Sequence, residues 1–203
     1  MIEVYYASGS IYGRKVLTVL EEKGLDYQIK KLSFETKDHL KEDYLKLNPN
    51  GEIPTLVDDG QVIYESTAIC EYLNDEYPYP PLLPDGSYDR ARVRMIEDFF
   101  DLHVYKHLVR CYIKKHIKKE ELTDADFDPI KNDLLRLEQY LGKQDYFAGS
   151  QLTLADCAYM PALASIEAAG LGKFLDAVPT LKKYSERLKL LKSYSKGANL
   201  LTV

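Results

Sequence analysis

No stretch of the 203-residue chain reaches the roughly 18–20 consecutive apolar residues that a membrane-spanning helix requires. The opening segment, MIEVYYASGSIYGRKVLTVLEEK, lacks both a cationic leader and an uninterrupted apolar core, so it does not read as a secretory signal. Cysteine is scarce as well. Cys70, Cys111 and Cys157 are odd in number, far apart and set in apolar helical patterns, which suits small buried hydrophobes in a reducing compartment rather than a disulfide framework. Nor is there an excess of positive charge: 27 Lys and Arg face 32 Asp and Glu, a formal net charge of −5. A chain of that sign has no general attraction for phosphate backbones. Nucleic acid and membrane are disfavoured as main partners, and the cytoplasm is the expected location.

What is present is ordinary for a soluble globular protein, with 45% hydrophobic and 29% charged residues. A chain of this length can bury roughly 70% of its unfolded surface, so it needs no metal or disulfide staple. Residues 2–6 (IEVYY) are a strand signal, and Val16, Leu17, Val19 and Leu20 recur at helical spacing up to a stop at Gly24. Residues 26–32 read as a second strand and residues 39–47 as a short polar helix. Residues 54–57 and 61–64 are short strands joined through Asp58-Asp59-Gly60, where Asp-Gly between apolar runs is a hairpin cue. A helix follows from Ser66, with Ile69, Tyr72 and Leu73 on its apolar face.

Residues 77–87 (YPYPPLLPDGS) hold four of the nine prolines and cannot continue either neighbour. Beyond them the chain reads as helix throughout. A single helix is expected from residue 89 to 119, with one apolar stripe of Val93, Ile96, Phe100, Val104, His107 and Cys111 and another of Met95, Phe99, Leu102, Val109 and Ile113. A helix apolar on two sides is covered twice, by its own core and by a pocket or a partner subunit. Ile130, Leu134, Leu137 and Leu141 mark the next helix, and two more are expected over residues 154–169 and 180–191. The expected organisation is an α/β domain over residues 1–77, a proline-rich linker over 78–87 and an all-α domain over 88–203.

Three local features of the first half belong together: Ser8-Gly9-Ser10 between strand and helix, Asn48-Pro49-Asn50-Gly51-Glu52-Ile53-Pro54, and Glu65-Ser66-Thr67 at a helix entrance. A proline opening a strand after Asn-Gly is where a cis bond can leave a backbone N–H and C=O free to pair with an extended peptide. Glu-Ser opening a helix offers amides, a hydroxyl and a positive dipole end, which suit a ligand carboxylate. Taken alone, Ser10 and Ser66 are helix N-caps and Pro54 is turn punctuation.

YYASGSIYGRKVLTVLEEKGLDY, NPNGEIPTLVDDG followed by YESTAICEYL, and the later GSQLTLAD resemble glutathione transferases across both halves of the chain, in the right order and spacing. The resemblance implies a thioredoxin-like N-terminal domain, an all-helical C-terminal domain and a homodimer. It also implies glutathione as co-substrate, with its cysteinyl backbone paired to Ile53 before cis-Pro54 and its γ-glutamyl end on Glu65 and Ser66. In the serine classes the catalytic residue falls on Ser10. His39, nine positions before Asn48, matches a glycyl-carboxylate contact, and Glu52 lies near the same ligand. Tyr6, at the end of the first strand, is the rival activator, because several classes use a tyrosine there.

The sequence departs from the family at Glu52, where Gln, Lys or an apolar residue is common. Position 10 is not cysteine, which argues against the omega-like and beta-like classes, and the Ser-Ser-Cys-Ser signature of maleylacetoacetate isomerases is absent. The class does not resolve. The activity implied is detoxifying conjugation of the glutathione thiolate to electrophilic, largely apolar substrates. The alternatives are a non-catalytic protein-interaction module of the same fold, or a peroxidase, dehalogenase or isomerase on the same site. Phe100, His103, Tyr105 and Tyr112 are expected to line the second-substrate pocket.

Two signals carry less. His103 and His107 have the spacing of a zinc pair but lack the glutamate of the metalloprotease helix, so no metal is expected. Lys114-Lys115-His116-Ile117-Lys118-Lys119 reads as a solvated helix end, where cations suit the dipole. Thr153 and Asp156 are expected to form a capping box.

Overall fold

The computed structural model describes residues 1–198. Strand β1 (Ile2–Ala7) buries Ile2, Val4 and Tyr6 on alternate positions and forms the second strand of a four-stranded sheet ordered β2-β1-β3-β4. Helix α1 (Ile11–Lys23) carries the chain back so that β2 (Tyr27–Leu32) pairs parallel with β1, Ile2 opposite Tyr27. Such a crossover needs a helix-length connection, whereas a hairpin needs only a tight turn. β3 (Thr55–Asp58) runs antiparallel to β1, and β4 (Gln61–Tyr64) antiparallel to β3. The turn between them is Asp59 at φ 46° and Gly60 at φ 85°, the two positive φ values that a twisted two-residue hairpin demands. Gly24 ends α1 in the left-handed conformation, its N–H returning to Glu21 O. Helix α3 (Ser66–Glu76) completes this domain.

The helix expected over residues 39–47 is instead a 3₁₀ turn at Asp38–Leu40 followed by the single-turn α2 (Glu42–Leu45). The segment is organised by polar turn chemistry. Asp38 accepts from the Ser33 amide at 2.9 Å and the Thr36 hydroxyl at 2.9 Å, while Tyr44 is its only buried residue within those turns.

The second domain begins with one continuous helical path: α4 (Ser87–Phe99), a π-turn at Phe100–Val104, α5 (Tyr105–Tyr112) and a second π-turn at Ile113–Ile117. Each π-turn takes an extra residue per turn and rotates everything downstream about the axis. The two expected apolar stripes fare differently. Val93, Ile96, Phe100, Val104 and Cys111 are buried, but of the other stripe Phe99 is buried while Met95 and Leu102 stand 67% and 64% exposed.

Helices α6 (Asp124–Leu141), α7 (Leu154–Ala168) and α8 (Pro179–Leu188) follow; α7, buried nearly all round, packs against α1, α4 and α5, and α6 packs on α8. Thr153 and Asp156 form the capping box of α7. The Asp156 carboxylate accepts from the Thr153 amide at 2.7 Å and hydroxyl at 2.8 Å, from the Phe147 amide at 2.9 Å, and from the Tyr184 hydroxyl. All three cysteines are free and buried, and none of the described helices is long and apolar enough to cross a membrane.

Helix α1 belongs to both domains. It packs on α3 beneath the sheet, on α7, and on the terminal turn Tyr194–Ala198. A Cβ on Gly197 would lie 2.7 Å from both Cα and N of Thr18, so only glycine fits there. The buried Arg14 donates to Ala198 O at 2.9 Å and Ser165 Oγ at 2.7 Å.

Candidate functional site

Ser10 caps α1. Its Oγ accepts from the Gly13 amide at 3.0 Å and donates to the Ile53 carbonyl at 3.3 Å, and the residue is only 5% exposed. The Ile53-Pro54 bond is cis. The loop before it is fastened from two sides. Asn48 Nδ2 donates to Glu52 O at 2.8 Å and Asn48 Oδ1 accepts from the Asn50 amide at 3.0 Å, while the Tyr44 hydroxyl also donates to Glu52 O. The Glu52 side chain is exposed, its backbone carbonyl committed inward.

Asn50 Nδ2 reaches Glu65 Oε1 at 3.4 Å, which joins this loop to the start of α3. Glu65, and not Ser66, is the N-cap residue. It sits at φ 71°, a left-handed strain that a non-glycine residue adopts only when its surroundings impose it. Ser66, buried at 7% exposure, is the first helical residue, so its N–H is among the first-turn amides left without intrahelical partners. His39 lies in the 3₁₀ turn with its ring edge-on to Phe34, its carbonyl against Gly51, and a buried Nδ1 that meets no partner among the described residues. Ser10, Ile53 and Pro54 are thus in direct contact, Glu65 and Ser66 are joined to them through Asn50, and His39 touches the same loop through its backbone.

Tyr6 is 3% exposed, its ring so close to α1 that a Cβ on Gly13 would lie 2.7 Å from it. Burial raises its pKa, opposed by the Arg14 charge.

The four residues expected in a second pocket do not stay together. Phe100 and Tyr105 are corrected to core positions. Both are 0% exposed, Phe100 sits among Phe147 and Tyr159, and the Tyr105 hydroxyl is spent on Ala158 O at 2.5 Å. Phe100 continues the buried stripe of Val93 and Ile96, and the π-turn that starts there carries Tyr105 onto the same inner side, against Ala158 of α7. The His103 ring lies tilted against Phe99, which meets Tyr140 of α6, so it faces away from the site. Tyr112 is the member that arrives: its hydroxyl would lie 3.6 Å from a Cβ on Gly9, and its ring stacks on His116 at 4.8 Å. His107 turns to Asp133, Nδ1 to Oδ2 2.7 Å, parting it from His103. No group of three or more metal-ligating side chains gathers among the described residues.

Sequence reading missed a buried charge cluster one residue beyond Ser66. Lys15 Nζ, 0% exposed, lies 2.9 and 3.0 Å from the Asp101 oxygens and 2.8 Å from Thr67 Oγ1, which itself donates to Asp101 at 2.9 Å. Desolvation alone would lower the lysine pKa; Asp101 outweighs it, and the pKa is raised. One turn earlier Glu97 is fully buried with both carboxylate oxygens unpartnered among the described residues. Burial pushes its carboxyl up to about 7 against the pull of Lys15. The cluster ties the first turn of α3 to α1 and to the helix of the second domain. The signal was a lysine inside an apolar helical face, where a charge must find a partner.

Residues 9–76 match the glutathione S-transferase N-terminal domain and residues 101–189 the glutathione S-transferase C-terminal domain. Glutathione S-transferase omega-1 of Sus scrofa is 32% identical over 187 residues, 90% of this chain and 74% of that one. A stringent starvation protein A homolog of Coxiella burnetii is 31% identical over 186 residues, 92% of this chain and 86% of that one. A delta-class glutathione transferase of Nilaparvata lugens superposes with a TM-score of 0.88 at 28% identity, covering 99% of this chain and 96% of that one. By these matches over both domains, the chain belongs to the glutathione S-transferase family.

Proposed function

We propose that the protein binds glutathione and transfers its thiolate to electrophilic, largely apolar substrates, with Ser10 as the thiolate-stabilising residue. One observation carries this reading: a buried hydroxyl at a helix N-terminus touches the carbonyl that precedes cis-Pro54. The cysteinyl backbone of glutathione would pair with Ile53, its γ-glutamyl carboxylate with the Ser66 hydroxyl and amide, and its ammonium with Glu65. His39 would approach the glycyl carboxylate, with Glu52 beside the ligand. A thiol of pKa near 8.5 needs a shift of about 1.5 units, roughly 2 kcal/mol, to be half ionised at neutral pH. One hydrogen bond to a charged group supplies roughly 1.5–3 kcal/mol, so Ser10 suffices without a metal or a buried base. The raised pKa and core position of Tyr6 support Ser10 over Tyr6. Tyr112, beside Gly9, would border the electrophile.

The same reading includes residues 1–77 as the glutathione-binding unit, 78–87 as linker and 88–203 as the domain completing the second-substrate pocket. It also includes a homodimer over the exposed Met95 and Leu102 face, a cytoplasmic location and a detoxifying role. The similarity to a stringent starvation protein A homolog favours a second reading, a glutathione-transferase-like module without conjugating activity. Retention on immobilised glutathione, followed by conjugation of a generic aryl halide, tests both. Retention with turnover supports the enzyme, retention without turnover the module, and absence of retention removes the proposed site.

A further inference from the structure

Helix α5 lies between two π-turns, one closed by the Tyr105 amide on Phe100 O and the other by the Lys118 amide on Ile113 O at 3.0 Å. A π-turn departs from the regular angular step of an α-helix, so α5 does not inherit its facing from α4. Side chains that grip the neighbouring helices must fix it instead. The Tyr105 hydroxyl does so at the start, on Ala158 O of α7. Cys111 offers Asp126 O only a weak thiol donor at 3.7 Å, and Lys114, beyond α5, reaches the Asp126 carboxylate on a long flexible stem.

His107 is the directional grip on the α6 side. Its Nδ1 lies 2.7 Å from Asp133 Oδ2, and since an ionised carboxylate only accepts, Nδ1 donates. Asp133 is 2% exposed. Its other neighbour, Nη1 of the half-exposed Arg136, stands 3.8 Å away, beyond hydrogen-bond distance. The buried carboxylate therefore depends on His107, and losing that partner would leave it uncompensated.

Tyr112 stands five positions further on, about 140° round the axis from His107 at 3.6 residues per turn. One side of α5 is thus clasped to the second domain and the opposite side is presented to the first. There the Tyr112 hydroxyl lies 3.6 Å from where a Cβ on Gly9 would stand. Tyr112 is 48% exposed, and the ring it stacks on, His116, belongs to the next π-turn. A roll of α5 would carry the phenol with it.

We propose that His107 is a positioning residue for the second substrate: bonded to Asp133, it fixes the roll of α5 and so holds the Tyr112 phenol beside Gly9, at the border of the electrophile. The inference rests on the proposed binding of glutathione at Ser10. It adds that the electrophile's side of the site is set from α6, through two residues that touch neither ligand.

The test is calorimetry of the full chain with S-(2,4-dinitrophenyl)glutathione and with glutathione, which reads the aryl contact without turnover. His107→Leu cannot donate and is expected to weaken the conjugate about fivefold but glutathione less than about twofold. His107→Leu combined with Asp133→Leu leaves no buried charge behind and reads the same effect where the single variant fails to fold. In His107→Asn the amide nitrogen stands where Nδ1 stood, so conjugate affinity is expected to return to within about twofold of wild type. In a Tyr112→Ala background, His107→Leu is expected to cost no further conjugate affinity, because the group it positions is gone. Equal weakening of both ligands would make the bond a general brace and overturn the proposal. So would an unchanged conjugate affinity, a failure of asparagine to rescue, or the full loss persisting without Tyr112. A wild type that binds glutathione but gains nothing from the aryl group would overturn this inference alone; one that binds neither ligand would remove the glutathione reading with it.

Discussion

The Ser10 hydroxyl spends its single proton on the Ile53 carbonyl, 3.3 Å away, while its lone pair holds the Gly13 amide. On the proposed reading, both partners of that bond are contacts for the same ligand. A cysteinyl amide arriving at Ile53 takes the carbonyl and releases the Ser10 proton toward the sulfur beside it. Backbone recognition and thiolate stabilisation would then be two halves of one exchange.

Ser10→Ala is accordingly expected to raise the thiol pKa of bound glutathione by roughly 1–2 units, the size of one charge-assisted hydrogen bond. Glutathione affinity should fall far less, because Ile53, Glu65 and Ser66 remain. Ultraviolet absorbance of the thiolate against pH reads the shift directly. Tyr6→Phe should leave it near the wild-type value; the reverse pattern would make Tyr6 the activating residue.

Glu52→Gln should bind glutathione at least as tightly as wild type. The Glu52 carbonyl is held by Asn48 and Tyr44 and survives the change, and the exposed side chain merely loses a charge beside an anionic tripeptide. Titration calorimetry giving affinity weaker by about tenfold, or 1.4 kcal/mol, would show that the carboxylate is itself a favourable contact.

Asp156→Ala should lower stability by at least about 2 kcal/mol, since four buried donors lose their acceptor. Asp156→Asn should recover part of the loss. Denaturant unfolding measures both, and glutathione affinity in the folded fraction should not change.

Glu97 gives the stability a pH dependence of definite sign. Its folded carboxyl titrates at about 7, above the ordinary carboxylate range, because burial disfavours the charge. The folded chain therefore holds a proton that the unfolded chain releases above about pH 4.3. Stability from this group is complete at lower pH and is lost as pH rises through 7. Glu97→Gln should flatten that slope between about pH 5 and 7 and raise the melting temperature at pH 8. A parallel decline in the variant would place the titration elsewhere.

The sheet, the hairpin at Asp59 and Gly60, the stop at Gly24 and the box at Thr153 and Asp156 were legible because each is written in a few adjacent residues. The same holds for the segment ending in Pro54. The contact of Lys15 with Asp101 joins residues 86 positions apart, and no local pattern encodes it. Phe100 and Tyr105 were misplaced for a different reason. Phe100 continues the buried stripe of Val93 and Ile96, whereas Tyr105 lies beyond the π-turn at Phe100–Val104, which breaks the even turn that reading faces off a regular helix presumes.

The fit of Gly197 against Thr18 reaches further than its own turn. Through it, and through Arg14, the last described residues grip the helix whose first turn carries Ser10. The N-terminal half is thus not a portable cassette: cut from its helical companion, it would keep every residue proposed to hold glutathione and lose the vice that holds them in register.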